Sequence, residues 1–228
     1  MNLFSLFRFL CLCFYLLIIN NKALAEEAIL SYHSDIRIEE GGLIDVVERI
    51  SVQAEGFDIR RGIYRDFPTQ YFGPLMTKKK VPFDVKSVKR NGQASPFHTE
   101  KLNNGVRIYI GSADIRLPHG QHDYEIHYQT DEQLGYFDNY DEFYWNVTGT
   151  GWQFPIYQAS ATVKLPNNGH SQIMSQQFWT GYQGQTRQDA QINNHGQDVS
   201  ITTTQALKPH QGVTIGIQLP KGVFLPPK

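Results

Sequence analysis

Five carboxylates lie within one short, aromatic-rich segment of the chain: Asp131, Glu132, Asp138, Asp141 and Glu142. Carboxylate oxygens bind calcium, and two carboxylates at a suitable separation hydrolyse glycosidic bonds. The calcium-loop pattern D-x-[DN]-x-[DN]-G is absent, and the sequence fixes no separation between any two of these groups. We expect them to keep a loop hydrated, and we retain a carboxylate-dependent hydrolase as a third functional hypothesis.

Two histidines, His119 and His122, form an H-x-x-H pair beside Pro118. Such a pair chelates a metal when a turn brings both rings together. The glutamate and helical register of a zinc peptidase are missing, and Pro-His-Gly is ordinary turn chemistry. We therefore predict no metal and no other cofactor. Because no nucleophile elbow, phosphate-binding loop or dinucleotide fingerprint occurs either, we predict a protein that is not an enzyme.

Aromatic residues are concentrated between positions 136 and 157, a density that provides a platform for sugar rings or a peptide. Strand alternation places Phe143, Trp145 and Val147 on one face, which we expect to be core, and Tyr144 on the other. The aromatic residues of the segment are Tyr136, Phe137, Tyr140, Phe143, Tyr144, Trp145, Trp152, Phe154 and Tyr157. Our candidate interaction surface consists of Tyr136, Phe137, Tyr140 and Tyr144.

Two adjacent charged residues, Arg65 and Asp66, follow the Gly62 turn. They form either an anion site or a buried ion pair that holds this turn, and we favour the pair. Both are included in the candidate interaction surface.

The N-terminus has the pattern of a secretory signal: Arg8, an apolar run over 9–19, and Ala23-Leu24-Ala25. The run is shorter than the ~20 residues that span a bilayer, so we predict cleavage after Ala25 rather than an uncleaved anchor. The exported product is then one domain, residues 26–228. Both cysteines of the chain lie in the removed segment, so the exported domain has no thiol and no disulfide.

The exported domain would carry 19 basic and 22 acidic residues once Arg8 and Lys22 are removed, a net charge of −3. This balance argues against nucleic acid as a partner.

Period-two alternation predicts the fold. Ile44, Val46, Ile50 and Val52 alternate with polar residues, and the same pattern recurs near 106–110, 124–128, 161–165, 199–201 and 213–219. Asn-Gly pairs and other turn signals separate these runs. The pattern predicts an all-β fold, an antiparallel β-sandwich of about 8–10 strands, with a closed barrel as the alternative. The Gln- and Asn-rich stretch 167–197 is either a long crossover within one domain or a separator before a small C-terminal unit.

Several segments taken together resemble one family: 62–68 (GIYRDFP), 122–128 (HDYEIHY), 143–149 (FYWNVTG), 179–182 (WTGY) and 212–215 (GVTI). This is the family known as domain of unknown function 2207, the YciQ-like predicted membrane proteins of bacteria. The resemblance implies an extracytoplasmic, β-rich N-terminal domain that precedes membrane helices in typical relatives. This sequence stops at 225–228, about where relatives enter their first membrane helix, so we expect a truncated form or a secreted, anchorless variant. The family supplies no catalytic residues.

The leading functional hypothesis is a non-enzymatic, exported binding or sensory ectodomain at the periplasmic or extracellular face of the envelope. Its partner would be an envelope protein or glycan. The second hypothesis is an envelope glycan-binding module that uses the 136–157 aromatic cluster, and the third is the hydrolase.

Overall fold

The computed structural model describes residues 26–72, 78–167, 169–196 and 198–225. Residues 1–25, the predicted signal segment, lie outside the described residues. Within the described residues, no helix is long and apolar enough to cross a membrane.

The described residues form strands β1 to β17 and one turn of 3-10 helix at Gly169–Gln172. In chain order the strands are Ala28–Ile38, Ile44–Ala54, Gly62–Pro68, Gln70–Phe72, Lys78–Lys80, Phe83–Arg90, Gln93–Ala94, Phe97–Lys101, Gly105–Gly111, Gly120–Thr130, Leu134–Tyr136, Asp141–Asn146, Ala159–Lys164, Ser175–Gly181, Ala190–His195, Asp198–Thr203 and Gly212–Leu219. The prediction of an all-β fold of mainly antiparallel sheets is confirmed. The described strands outnumber the 8–10 expected. Four of them have only two or three residues, too few to show alternation, and others do not alternate, such as β8, whose five residues are all exposed.

The largest sheet has eight strands in the order β15-β16-β13-β1-β2-β10-β6-β7. Its centre is the trio β1, β2 and β10, each of 11 residues and antiparallel to its neighbour within the trio. The β1–β13 pair is parallel. Three smaller sheets have the orders β11-β12-β17-β14, β3-β9-β8 and β4-β5.

One core joins the three larger sheets. The ring of Phe67 on β3 lies 5.2 Å from Tyr128 on β10 and 5.6 Å from Trp145 on β12, measured between centroids. The inward residues of the central trio, such as Ile44, Val46 and Ile126, are fully buried in the same cluster. Alternation along each strand therefore gives one apolar face that packs on the smaller sheets and one polar face that points outward.

The start of β1 is fixed by the Glu27 carboxylate, which accepts four backbone N–H bonds of 2.8–3.1 Å from the loop after β2. Burial by itself raises the pKa of this carboxyl. The four hydrogen bonds outweigh that effect and leave the pKa of Glu27 below its ordinary value. The loop 55–59 is thus attached to the first strand through one charged side chain.

The polar stretch 167–197 contributes strands to two different sheets. Strand β14 pairs with β17 in the four-stranded sheet, and β15 pairs with β16 at one edge of the eight-stranded sheet. The stretch therefore takes part in both layers of the same architecture.

Candidate functional site

The two segments that carry the most specific sequence pattern, 62–68 and 143–149, meet in the folded chain. A Cβ atom placed on Gly149 would lie 2.8 Å from Nη1 of Arg65, and Gly149 has a φ of +73°. A Cβ on Gly151 would lie 3.6 Å from Oδ2 of Asp66. Glycine at 149 thus allows both the left-handed backbone and the approach of the guanidinium group.

A buried ion pair lies at this junction. Nε and Nη2 of Arg65 each donate a 2.9 Å hydrogen bond to a different carboxylate oxygen of Glu48, and the Tyr128 hydroxyl donates a third bond of 2.8 Å to that carboxylate. Glu48 is fully buried and Arg65 is 3% exposed. Burial, and then the adjacent Glu48 charge, raise the pKa of the Tyr128 hydroxyl well above its ordinary value. This is a bidentate pair that links β2, β3 and β10 across two sheets.

The predicted pairing of Arg65 with Asp66 is wrong. Successive residues of a strand face opposite sides of the sheet, so Arg65 points into the core and Asp66 points outward. The Asp66 carboxylate instead accepts bonds of 2.6 and 2.7 Å from Nε and Nη2 of Arg107 on β9. Because Arg65 is buried, it is not part of an exposed surface. Glu48 was missed, although an acidic residue at an inward position between Val46 and Ile50 was a signal for a buried partner.

Asp66 belongs to a stacked row on the outer face of the three-stranded sheet. The guanidinium carbon of Arg107 lies 4.0 Å from the ring centroid of Tyr64 and 5.7 Å from that of Tyr109. The Tyr109 ring in turn stacks on His98 with centroids 4.9 Å apart. The charge of Arg107 is neutralised by Asp66 and covered by rings, so this row primarily stabilises the sheet.

The aromatic cluster divides between core and surface. Phe143, Trp145 and Val147 are at most 3% exposed, and the Phe143 and Trp145 rings stack 5.6 Å apart. The expectation that these three residues form core is confirmed. Tyr144, on the opposite face of β12, is 55% exposed.

Tyr144 does not stand alone on the outer face of the four-stranded sheet. Its ring centroid lies 5.6 Å from that of Trp179 on β14. Both rings lie against Gly216 on the intervening strand β17, where an added Cβ would be 3.3 Å from Trp179 and 3.7 Å from Tyr144. A shallow depression next to Trp179 is lined by Glu142, Ser175, Gln177, Gly216 and Gln218. We call Tyr144, Trp179 and the polar residues of this depression the outer aromatic surface. Trp179 was noted in the sequence only as part of a family pattern.

The remaining three aromatic candidates lie on β11 and in the turn that follows it. Tyr136 pairs with Asp141 across β11 and β12, and its hydroxyl donates a 2.9 Å bond to the carbonyl of Leu225. Phe137 and Tyr140 stack on each other with centroids 4.8 Å apart in the turn between these strands. The Phe137 ring covers Gly135, which pairs with Glu142, but within the described residues no ring contact joins these three side chains to Tyr144.

The carboxylates of the 131–142 segment do not converge. Asp141 is buried and bound at 2.6 Å by Nζ of Lys221, whereas Glu142 faces outward and accepts a 3.1 Å bond from Gln218. His119 and His122 also separate: His119 lies 3.8 Å from Glu55, while Nε2 of His122 contacts the Pro118 carbonyl oxygen at 2.8 Å. Among the residues that the structure describes, no three His, Cys, Asp or Glu side chains are grouped to hold a metal ion.

Solved structures share the fold at low sequence identity. Native leukotriene A4 hydrolase from Saccharomyces cerevisiae matches with a TM-score of 0.51 and 12% identity, over 84% of this chain and 29% of that chain. The yeast LTA4 hydrolase in complex with bestatin matches with a TM-score of 0.50 and 11% identity, over 86% of this chain and 29% of that chain. At such identities the likeness shows the fold alone.

A relative at the sequence level is the uncharacterized protein YciQ of Escherichia coli (strain K12), which is 28% identical over 171 residues. The match covers 75% of this chain and 27% of YciQ, so the chain spans about a quarter of that relative's length. Residues 28–219 match the model of one family over most of the chain. The protein therefore belongs to the family described as predicted membrane protein (DUF2207), N-terminal domain.

Proposed function

We propose that this protein is an exported, non-enzymatic binding module of the cell envelope and that its ligand binds the outer aromatic surface. The observation that carries the proposal is the Tyr144–Trp179 pair, two rings held against Gly216 on a rigid sheet. Rings that are fixed by a sheet lose little conformational entropy when a ligand covers them.

The chemistry around the rings supports binding. Glu142, Gln177 and Gln218 line the depression beside Trp179 and supply amide donors and carboxylate or carbonyl acceptors. Aromatic faces beside a few convergent polar groups are typical of ligand-binding surfaces.

Export is supported by the N-terminal sequence pattern and agrees with a family described as a predicted membrane protein. The exported chain should begin at Glu26, and mass spectrometry of the product would determine its N-terminus. A product that retains residues 1–25 and sediments with membranes would show that the segment is an anchor.

The positions of Asp141 and Glu142 support a non-enzymatic role, because a hydrolase would need two carboxylates that face each other. Asp141 is occupied by Lys221, and Glu142 lies on the opposite face of the same strand. These two groups cannot flank one glycosidic bond.

A glycan is the ligand that the geometry favours within this class. The apolar C–H face of a sugar ring packs against an aromatic ring, while its hydroxyl groups bond to carboxylate and amide side chains. The outer aromatic surface offers both. An envelope protein that docks on the same two rings is the alternative ligand.

The test measures retention of the purified exported chain on columns of cell-wall and envelope polysaccharide, beside a pull-down from envelope extract. Tyr144→Ala and Trp179→Ala should each abolish retention, and Tyr144→Ala should leave the melting temperature unchanged because Tyr144 is exposed. Phe57→Ala removes an aromatic ring that is 62% exposed but lies in the loop after β2, outside the four-stranded sheet, and serves as the matched control. Retention that survives loss of both rings would refute the proposal. Capture of a defined envelope protein that depends on the rings, without glycan retention, would identify the protein ligand.

A further inference from the structure

A second cavity is lined by residues that take no part in the outer aromatic surface. It has a volume of about 390 Å³ and opens between strand β8 and the segment that leads from β5 into β6. Cavities of roughly 300–1,000 Å³ accommodate ligands in proteins. The lining residues are Thr69, Gln70, Lys80, Val81, Pro82, Phe83, Thr99, Glu100, Lys101, Gly105 and Val106.

The apolar wall of this cleft is held in place by the core. The Phe83 ring stacks on Phe67 with centroids 4.6 Å apart and lies 5.0 Å from Tyr128. The neighbouring backbone is fixed by a 2.9 Å bond from the Val81 N–H to the Thr69 carbonyl. A ligand would therefore meet a preformed wall and would not have to order it.

Strand β8 forms one side of the cleft and is an edge strand. Within the described part of the chain it pairs only with β9. Two bonds bracket that pairing: the N–H of Leu102 to the carbonyl of Gly105 at 2.8 Å, and the N–H of Gly111 to the carbonyl of Pro96 at 2.9 Å. Because hydrogen-bonded and non-hydrogen-bonded pairs alternate in an antiparallel ladder, the backbone N–H and C=O groups of Phe97, Thr99 and Lys101 face the free edge.

The charge of the cleft is positive. Lys80 and Lys101 are exposed at its rim, and within the described residues neither has an ion-pair partner. Glu100 also lines the cleft, but its carboxylate lies 3.6 Å from His98, and within the described residues no ion pair joins it to either lysine.

We propose that this cleft binds an extended peptide segment with an acidic side chain, which adds as a strand to the free edge of β8. The outward backbone groups of Phe97, Thr99 and Lys101 supply the main-chain bonds, and alternate side chains of the peptide enter the cleft. Lys80 and Lys101 select the acidic side chain, while the half-buried Phe83 and Val106 pack on its apolar neighbours. The cleft shares no lining residue with the outer aromatic surface, so the two sites are distinct.

The first experiment measures fluorescence anisotropy with the exported chain and two labelled, end-blocked pentapeptides. One alternates valine with aspartate, and the other alternates valine with lysine. The aspartate peptide should bind. The double variant Lys80→Glu/Lys101→Glu should weaken the affinity for this peptide by at least about tenfold, the equivalent of about 1.4 kcal/mol. Lys208→Glu, at an exposed lysine outside the cleft, is the matched control and should bind as the parent does.

The second experiment tests strand addition itself. Proline is tolerated at edge positions whose N–H faces solvent, so Thr99→Pro should fold with a melting temperature close to that of the parent while it loses the peptide. Thr99→Ala keeps the N–H and should keep the peptide. If Thr99→Pro fails to fold, a peptide that is methylated on alternate backbone nitrogens tests the same main-chain hydrogen bonds from the ligand side.

Three results would overturn the proposal: equal binding of the aspartate and lysine peptides, full binding of the N-methylated peptide, or no peptide binding at all. Binding of a polyuronate oligosaccharide in place of either peptide would show that the cleft recognises acidic sugars and not a strand.

Discussion

Removal of one partner from the buried Glu48–Arg65 pair should destabilise the fold far more than removal of both. Glu48→Gln keeps the shape of the side chain but leaves the guanidinium of Arg65 buried beside an uncharged group. Arg65→Met does the reverse and leaves the Glu48 carboxylate buried without its cation, although the Tyr128 hydroxyl still donates to it. Each single variant therefore has an uncompensated charge in the core.

The size of the effect follows from burial. Glu48 is fully buried and Arg65 is 3% exposed, so solvent cannot replace the lost partner. Breaking a buried pair costs about 3–5 kcal/mol, a large part of the ~5–15 kcal/mol that stabilises a domain. Apolar replacement of both partners is often neutral or stabilising. In the double variant Glu48→Leu/Arg65→Met, the Tyr128 hydroxyl loses its acceptor at a cost of about 1–3 kcal/mol, and adding Tyr128→Phe should remove that cost.

The assay is urea unfolding at pH 7 followed by tryptophan fluorescence, because Trp145 and Trp152 are both buried in the core. The free energy of unfolding should fall by about 3–5 kcal/mol in each single variant and return to within about 1 kcal/mol of the parent in the triple variant. Equal destabilisation of single and triple variants would show that the pair is a net source of stability. A cost below ~1 kcal/mol for Glu48→Gln would show that the site is not sealed from water.

Three further predictions test other parts of the structure. Trp145→Ala should lower the free energy of unfolding by ~3–5 kcal/mol through lost burial and a cavity. Tyr144→Phe should stay within ~0.5 kcal/mol of the parent. An unchanged melting temperature for Trp145→Ala would contradict the core assignment. Glu27→Gln should cost about 2 kcal/mol at pH 7. Because the pKa of Glu27 is lowered in the folded protein, its contribution to the free energy of unfolding is present above the unfolded pKa of about 4.3 and is lost as pH falls through the folded value. The difference in unfolding free energy between parent and variant should therefore shrink in unfolding curves recorded towards pH 3. A constant difference would argue against the ionised cap. Gly149→Ala should lower the free energy of unfolding by more than ~1 kcal/mol in the same urea assay, because the left-handed backbone and the buried guanidinium both exclude a methyl group. Gly41→Ala, with open space around the residue, should leave the free energy of unfolding unchanged.

The alternation of residue types was sufficient to predict many of the longer strands and their buried faces. Ile44, Val46, Ile50 and Val52 are all buried as the period of two requires. Trp145 and Tyr144 are separated into core and surface for the same reason. Such faces depend only on local chain geometry, in which successive side chains of a strand point to opposite sides. The family resemblance, based on short motifs, is likewise a property of the sequence and is shown by the match over residues 28–219.

Partners across the fold could not be predicted in this way. Arg65 pairs with Glu48 on a strand of another sheet, and no local rule relates their positions. Trp179 meets Tyr144 because β14 and β12 both flank β17, an order that long-range strand pairing decides. The cleft beside β8 likewise exists only because the three-stranded sheet, the β5–β6 segment and the Phe67–Phe83 stack are brought together. The sequence by itself determined which side of each alternating strand is buried, and the tertiary structure decided which side chains meet there, because pairing between distant strands depends on the packing of the whole core.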